Sequence, residues 1–569
     1  MRNQNLSIKI KIMKLKSSIE LFCEREKNTP NAPFLRQPFG DRWEVYTWGE
    51  TGQMVRKLAA ALQTMGLKEN AHIGLVSKNC REWIIADLAI SMAGFISVPF
   101  FATLTGDQIN EVLKLGDVDF LIVGKVEKPI WADMKDGIPK DMPTVSLFTY
   151  NNHATIEGAM DWQELMDKNE PMQEVKLPGL KDLWTIIFTS GTTGTPKGVM
   201  LTHSSQAELL ESTKEENNFK FDMNGDNRFM SFLPLNHIAE RIVVEGACLS
   251  YGGVLSFAES LDTFAKNLSD TQPTLFFAVP RIWKKFQLGI LKKMPQNRLN
   301  ILLKIPVINN IIKKKLQTAL GLRESRMNIS GAAAIAQELK NWFMAIGIPV
   351  SEGYGMTENA AACTFLDAFD DKPGSVGKAQ PGVELKIVDD SGEVCMRASY
   401  VMEGYYKSPD KTAEVIQGGW LHTGDQGRID ENGYLFLTGR VKDTFKTAKG
   451  KYIIPSPIEF KFTANDDIEQ LCLVGLGMPQ PLLIIVPSEI GMAKSQDELK
   501  ASLEASLAEA NGKLASYKKV STIIVAKSAF SVENGMLTPT LKVKRPQVNN
   551  RYLNLLEGWH DKPEKIIFE

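Results

Sequence analysis

Residues 189–203 read TSGTTGTPKGVMLTH, with hydroxyls and glycines crowded ahead of a single lysine and an apolar run, Leu183–Phe188, leading in. A strand feeding such a loop offers backbone N–H groups and hydroxyls to an anion, and Lys197 adds the positive charge. The spacing is not that of a Walker loop, because Pro196 precedes the lysine and Gly198 follows it. Taken alone, the stretch reads as a phosphate cradle or as a surface loop. A lone histidine, His237 in LPLNHIAER, is open in the same way: a ligand to a substrate carboxylate, or a core hydrogen-bonder.

Elements must position these residues. Thr47 and Glu50 have capping-box spacing, and Val55, Leu58, Leu62 and Met65 recur behind them at helical intervals. The strand-like HIGLVSK (72–78) follows, then DFLIVG (119–124), LWTIIFT (183–189) and LFFAVP (275–280). Strands alternating with helices predict an α/β fold with mostly parallel sheets. The character changes near residue 440, and a chain of 569 residues is too long for one core. We therefore expect a large, multi-layered domain over 1–440 and a smaller one over 441–569, with 1–12 a loose tail and Met13 an alternative start.

Residues 83–104 approach a membrane span in length, but Asp87, Gly94 and Pro99 interrupt them, so a buried helix and strand are expected. The formal net charge of −1 argues against a nucleic-acid partner. Six scattered cysteines without a C-x-x-C pair suit free thiols in a reducing compartment. The N-terminus lacks the apolar centre of a secretory signal. Residues 284–326 depart from neutrality, with eleven Lys/Arg against Glu324 alone. They read first as solvated helices on the core, and second as a membrane-surface patch.

Several stretches, in order, resemble the adenylate-forming superfamily of acyl-CoA synthetases, luciferases and peptide-synthetase adenylation domains. They are TSGTTGTPKGVMLTH, SEGYGMTEN (351–359), WLHTGDQG (420–427), GRVKDTFKTAKGKYIIPSPIE (439–459) and LTPTLKVKR (537–545). The resemblance spans about residues 20–560 and implies a small mobile α+β C-terminal domain. It implies that Thr189, Ser190, Gly191, Thr192, Thr193, Gly194 and Lys197 cradle the phosphates of ATP. Glu358 would hold Mg²⁺ and Thr357 would donate to the α-phosphate. Gly331, Ala332, Ala333, Tyr354 and Gly355 would border adenine, while Asp425 and Arg440 would take the ribose. Lys542, rather than Lys544, would bridge carboxylate and α-phosphate, and His237 would lie near the acyl carboxylate. Lys442 and Asp443 would form the hinge, with Gly450 on the loop facing coenzyme A.

Within the superfamily, PLNHIAER, the 418–443 stretch and KTAKGKYIIP look most like long-chain fatty acyl-CoA synthetases. The implied reaction joins a long-chain fatty acid to coenzyme A through an acyl-adenylate. Without a signal or span the expected location is the cytoplasm, with peripheral contact at the membrane's inner face through 284–326 as the further reading. Gly246, Ala247, Phe257 and Phe276 are candidate tunnel residues. A ligase loading a carrier-protein phosphopantetheine is the alternative, and a non-enzymatic lipid-binding scaffold is a third reading. No insertion follows Arg440, which favours coenzyme A.

Overall fold

The computed structural model describes residues 15–190, 195–370, 372–531, 534–538 and 542–569. Its largest sheet has eight strands, in the order Gly404–Tyr405, Pro196–Thr202, Leu183–Ser190, Ile96–Phe100, His72–Val76, Val118–Val123, Thr144–Ser146, Met160–Asp161. Pairing is parallel from Leu183–Ser190 outward through Ile96–Phe100 to Met160–Asp161. The anticipated capping box is formed: Thr47 N–H donates to Glu50 Oε2 at 2.8 Å and Glu50 N–H to Thr47 Oγ1 at 3.1 Å. The helix that follows, Trp48–Thr64, buries Val55, Leu58 and Leu62. The span-like segment is the buried helix Arg81–Met92 and the buried strand Ile96–Phe100. Among the described residues no helix is long and apolar enough to cross a membrane.

Parallel pairing is not the whole architecture. The strand Pro196–Thr202 turns back antiparallel on Leu183–Ser190. A second sheet begins with the parallel strands Leu275–Ala278, Met327–Ser330 and Ser351–Tyr354 and continues antiparallel. A third, built on Glu384–Val388, Glu393–Arg397, Trp420–Ile429 and Leu435–Arg440, is antiparallel throughout. Its strand Trp420–Ile429 alternates in burial along its first half, as expected of a sheet covered on one face.

The buried apolar clusters separate along the chain. Five draw only on residues up to Leu437, and two draw only on residues from Phe445 onward. The latter pack on the sheet Ile468–Val474, Leu482–Pro487, Ile523–Val525, Ile566–Phe568. All six cysteines are free.

Candidate active site

The strand Leu183–Ser190 lies inside the large sheet and runs into the Gly/Thr-rich stretch at its C-terminal end, where Thr189 pairs with Lys197 and Ser190 with Pro196. Gly191, Thr192, Thr193 and Gly194, and the Ser190 side chain, lie outside the described residues. The strand is anchored from below by Arg241, a fully buried guanidinium four residues beyond His237. Arg241 donates to Thr185 Oγ1 at 2.8 Å and pairs with Asp87 and with Glu245 (3.4 Å), while stacking over Trp184 at 4.0 Å. The histidine-bearing segment and the strand that feeds the loop are thereby tied together.

Lys197 lies 4.6 Å over the ring of Tyr405, whose hydroxyl donates to Glu358 Oε1 at 2.8 Å. Burial lowers the Lys197 pKa, as do the charges of Lys442 and Lys411, while Glu358 opposes the shift. Tyr405 thus joins the cation to the carboxylate. The sequence reading missed it, although the local string GYYKSPD, rich in turn and aromatic residues, was there to be weighed. Glu358 is buried, and its charge reaches both Lys197 and Lys542. A buried carboxylate facing a polyanion's cradle is the donor set a Mg²⁺ ion uses when phosphate oxygens complete its shell. Thr357, half-buried, opens the short helical turn that carries Glu358.

Asp425 and Arg440 are 15 residues apart in sequence but directly opposite in register, and Arg440 Nε donates to Asp425 Oδ1 at 2.9 Å. The Tyr354 hydroxyl donates to Asp425 Oδ2 at 2.7 Å. Gly424, with φ of 72°, is the irregular point of the strand just before it. Its N–H donates to Glu393 Oε1 at 2.9 Å, and Glu393 Oε2 lies 2.9 Å from His422 Nδ1. Glu393 therefore fixes the backbone before Asp425 from the neighbouring strand, a role no local motif announces.

Residues 331 and 355 are small for a steric reason. A Cβ at Gly355 would sit 2.2 Å from the Ala361 carbonyl, and one at Gly331 would meet Phe277 at 3.0 Å and the Gly353 oxygen at 3.2 Å. Ala332, Ala360 and Ala361 all hold positive φ (64°, 52° and 65°), a conformation that costs non-glycine residues energy and concentrates at functional sites. Ala333 is exposed just beyond.

From these glycines an apolar cleft runs inward, with about 870 Å³ of empty space, its open mouth included. His237, Gly331, Ala332 and Gly355 line one part, and Leu210, Thr213, Phe219, Phe221, Val243 and Ala247 another. Of the four tunnel candidates only Ala247 lines it. Phe257 and Phe276 are buried in cores, and Gly246 packs against Gln206, Arg241 and Leu210. Those three lie near the motifs in sequence, whereas the apolar lining draws on the helix His203–Glu216, the loop residues Phe219 and Phe221 after it, and the π-helical turn Arg241–Gly246 with Ala247. Leu210 also lines a second, more polar cavity of about 750 Å³ with Lys16, Glu211, Lys214 and Ser250.

Burial pushes the His237 pKa down to about 4, and the charge of Lys542 adds to the shift. Its Nδ1 accepts from the Ala239 N–H at 3.3 Å, so the neutral ring carries its proton on Nε2. Lys542 arrives from the C-terminal part of the chain, held by the Lys542 N–H to Thr538 Oγ1 bond at 3.0 Å. It is crowded by protein yet keeps solvent contact. Crowding lowers its pKa, and so does Arg440, while Asp425 and Glu358 raise it. Lys442 and Asp443 lie in a short 3₁₀ turn, with Asp443 3.5 Å from Arg545. Gly450, at φ of 73°, is in the hairpin Phe445–Lys446/Tyr452–Ile453, between its two strands.

A largely parallel sheet, a carboxylate held by Arg440 and Tyr354, and a lysine from the C-terminal part of the chain are the features to be set beside known enzymes. The chain belongs to the AMP-binding enzyme family, whose sequence pattern matches residues 22–406, and the AMP-binding enzyme C-terminal domain pattern matches 442–564. Among curated relatives it is 30% identical to long-chain-fatty-acid–CoA ligase 5 of Rattus norvegicus, over 97% of this chain and 89% of that one. It is 29% identical to fatty acyl-CoA synthetase A of Dictyostelium discoideum, over 88% and 83%. Its fold is similar to the adenylation domain of a carboxylate reductase from Mycobacterium chelonae (TM-score 0.81, 21% identity, 97% and 92% covered). It is also similar to an anthranilate CoA ligase in complex with anthranoyl-AMP (TM-score 0.77, 20% identity, 95% and 98% covered).

Proposed function

We propose that the protein activates long-chain fatty acids with ATP to acyl-adenylates and transfers the acyl group to coenzyme A. The observation that carries this reading is the continuity of the cleft. Glycines and strained alanines suited to a flat ring open directly onto an apolar bore lined by Leu210, Phe219, Phe221 and Val243. A nucleotide and an alkyl chain would meet there, with the carboxylate between them, beside His237.

In the first half-reaction a fatty carboxylate oxygen attacks the α-phosphorus of ATP and pyrophosphate leaves. Two anions must meet, so positive charge and fixed donors are needed in line. Lys542 and Thr357 act at the α-phosphate, and the Nε2–H of neutral His237 faces the acyl carboxylate. Lys197 and the 189–194 residues hold the leaving pyrophosphate. Asp425, oriented by Tyr354 and Arg440, accepts from the ribose hydroxyls. Glu358 is the residue that would hold Mg²⁺, which supplies charge neutralisation on the phosphates. In the second half-reaction the thiol of coenzyme A attacks the acyl carbonyl carbon and AMP leaves. Lys542 must first withdraw, so residues 441–569 move as a unit about Lys442 and Asp443, turning the Gly450 loop toward the thiol. The cytoplasm, where ATP and coenzyme A are available, is the place for this chemistry.

Mass spectrometry of products formed from ATP, Mg²⁺, coenzyme A and a panel of fatty acids tests the reading. Acyl-CoA is expected, peaking at long chains. Acyl-AMP accumulating without acyl-CoA, with turnover restored by a holo-carrier protein, would replace coenzyme A as acceptor. No adenylate from any fatty acid would end the reading.

A further inference from the structure

The helices Gln296–Lys304 and Ile308–Ala319 form a hairpin on the large domain. One apolar stripe does the usual work: Leu299 is buried, and Leu303, Ile312 and Leu316 pack against the core. A surface helix needs only that stripe. Yet five further branched aliphatics stand out at the connection and the turns beside it. Val307 is 72% exposed, Ile301 63% and Ile311 58%, with Ile305 and Ile308 alongside. Val307 also holds a φ of 70°, in a region that β-branched residues avoid. The surroundings are cationic. Lys292, Lys293, Arg298, Lys304, Lys314 and Lys315 are exposed, and among the described residues none of them pairs with a carboxylate.

We infer that this hairpin is a membrane-docking device: the isoleucine and valine tip enters the headgroup boundary of an anionic lipid surface while the surrounding cations engage the headgroups. Charge complementarity commits the site to that occupant. The segment 284–326 has eleven cations and a single acid, and clustered Lys/Arg beside exposed aliphatics is the pattern that anionic bilayers attract. A protein partner would be met by aromatic anchors, and the exposed tip has none. The expected packing of the basic helices on the core is present, but a second apolar face remains uncovered.

Flotation of the purified full chain with vesicles tests this, and needs no enzyme activity. Wild type should float with phosphatidylcholine vesicles containing about one third phosphatidylglycerol and far less with phosphatidylcholine alone. The variant I301S/V307S/I311S and the variant K304E/K314E/K315E should each lower the floated fraction about tenfold. Their melting temperatures should match wild type, because the replaced side chains are exposed. Raising salt should release the unaltered protein from anionic vesicles, a measurement that requires no mutant to fold. Failure of wild type to float on anionic vesicles, equal flotation of all three proteins, equal flotation on neutral lipid, or a lipid-free dimer that the tip variant abolishes would each overturn the proposal.

Discussion

Lys542 is the residue on which the two half-reactions divide. Its charge is felt by His237, and Arg440, Asp425 and Glu358 act on it in turn. We predict that Lys542→Ala loses at least about a hundredfold in acyl-adenylate formation, the scale of removing one preorganised charge from a transition state. Conversion of supplied acyl-AMP to acyl-CoA should persist, because that step follows withdrawal of the lysine; rates of both steps measured separately check it, and equal losses would contradict the assignment. Leu210 belongs to specificity. It is the side chain that lines both the apolar cleft and the second cavity. Leu210→Ala should open the partition and move the peak of the chain-length profile toward longer acids, while Leu210→Trp should move it shorter. An unchanged profile in both would mean that chain ends stop elsewhere.

At the scale of elements, the strand Leu183–Ser190 and the turn after His237 are joined by one buried cation. Removing Arg241 would strand Asp87 and Glu245 without their partner in the core, and breaking such a buried pair costs about 3–5 kcal/mol. Denaturant unfolding of Arg241→Met should register a loss of that size. The helix His203–Glu216 begins with another buried polar group: His203, at which TSGTTGTPKGVMLTH ends. Burial pushes its pKa down to about 4, and the Arg241 charge works the same way against the opposing pull of Asp182. The unfolded chain therefore binds this proton near pH 6.5 and the folded chain only near pH 4. Its contribution is complete above about pH 6.5 and lost as pH falls toward 4, on the order of 3 kcal/mol across the window. Glu240, pushed up to about 8 by burial, acts in the opposite sense, gaining stability on acidification from pH 8. The difference between wild type and His203→Gln melting curves from pH 7 to 4.5 isolates the histidine. It should shrink as the pH is lowered.

For the whole molecule, the question is what holds the two parts of the chain in their arrangement. Besides Lys542, the helix Pro280–Lys293 is ion-paired across to the C-terminal part: Lys284 to Asp466 at 2.5 Å, and Arg281 to Glu469. These pairs are at least partly exposed, so each is worth at most about 1 kcal/mol and is screened by salt. The double variant D466N/E469Q should slow adenylation a few-fold, and make it less salt-sensitive, without slowing thioester formation from supplied acyl-AMP. Stopped-flow measurement of each half-reaction at low and high salt reads this directly. A parallel slowing of both would show that the pairs serve stability alone.

Much was legible in the sequence because it is local. The capping box at Thr47 and Glu50 and the strand–loop pattern before Lys197 are dictated by neighbours a few residues away, whereas Gly331 is kept free of a Cβ by Phe277 and Gly353, far off in the chain. Period and turn chemistry act at that range, so the α/β class followed too. The tertiary structure decided whatever depends on register and approach across the chain. Asp425 meets Arg440 because a bulged antiparallel pairing sets them opposite, and Tyr354 reaches the same carboxylate from another sheet. Tyr405 and Glu393 serve the site from strands whose local sequence is unremarkable in charge or motif. The cleft wall could not be read from adjacency, since Leu210 on a helix, Phe219 on the loop after it and Val243 on a π-turn line one cavity. Periodicity likewise assigns one buried stripe to a helix; that the 296–319 hairpin keeps a second, uncovered one follows from how much of its surface the core can reach.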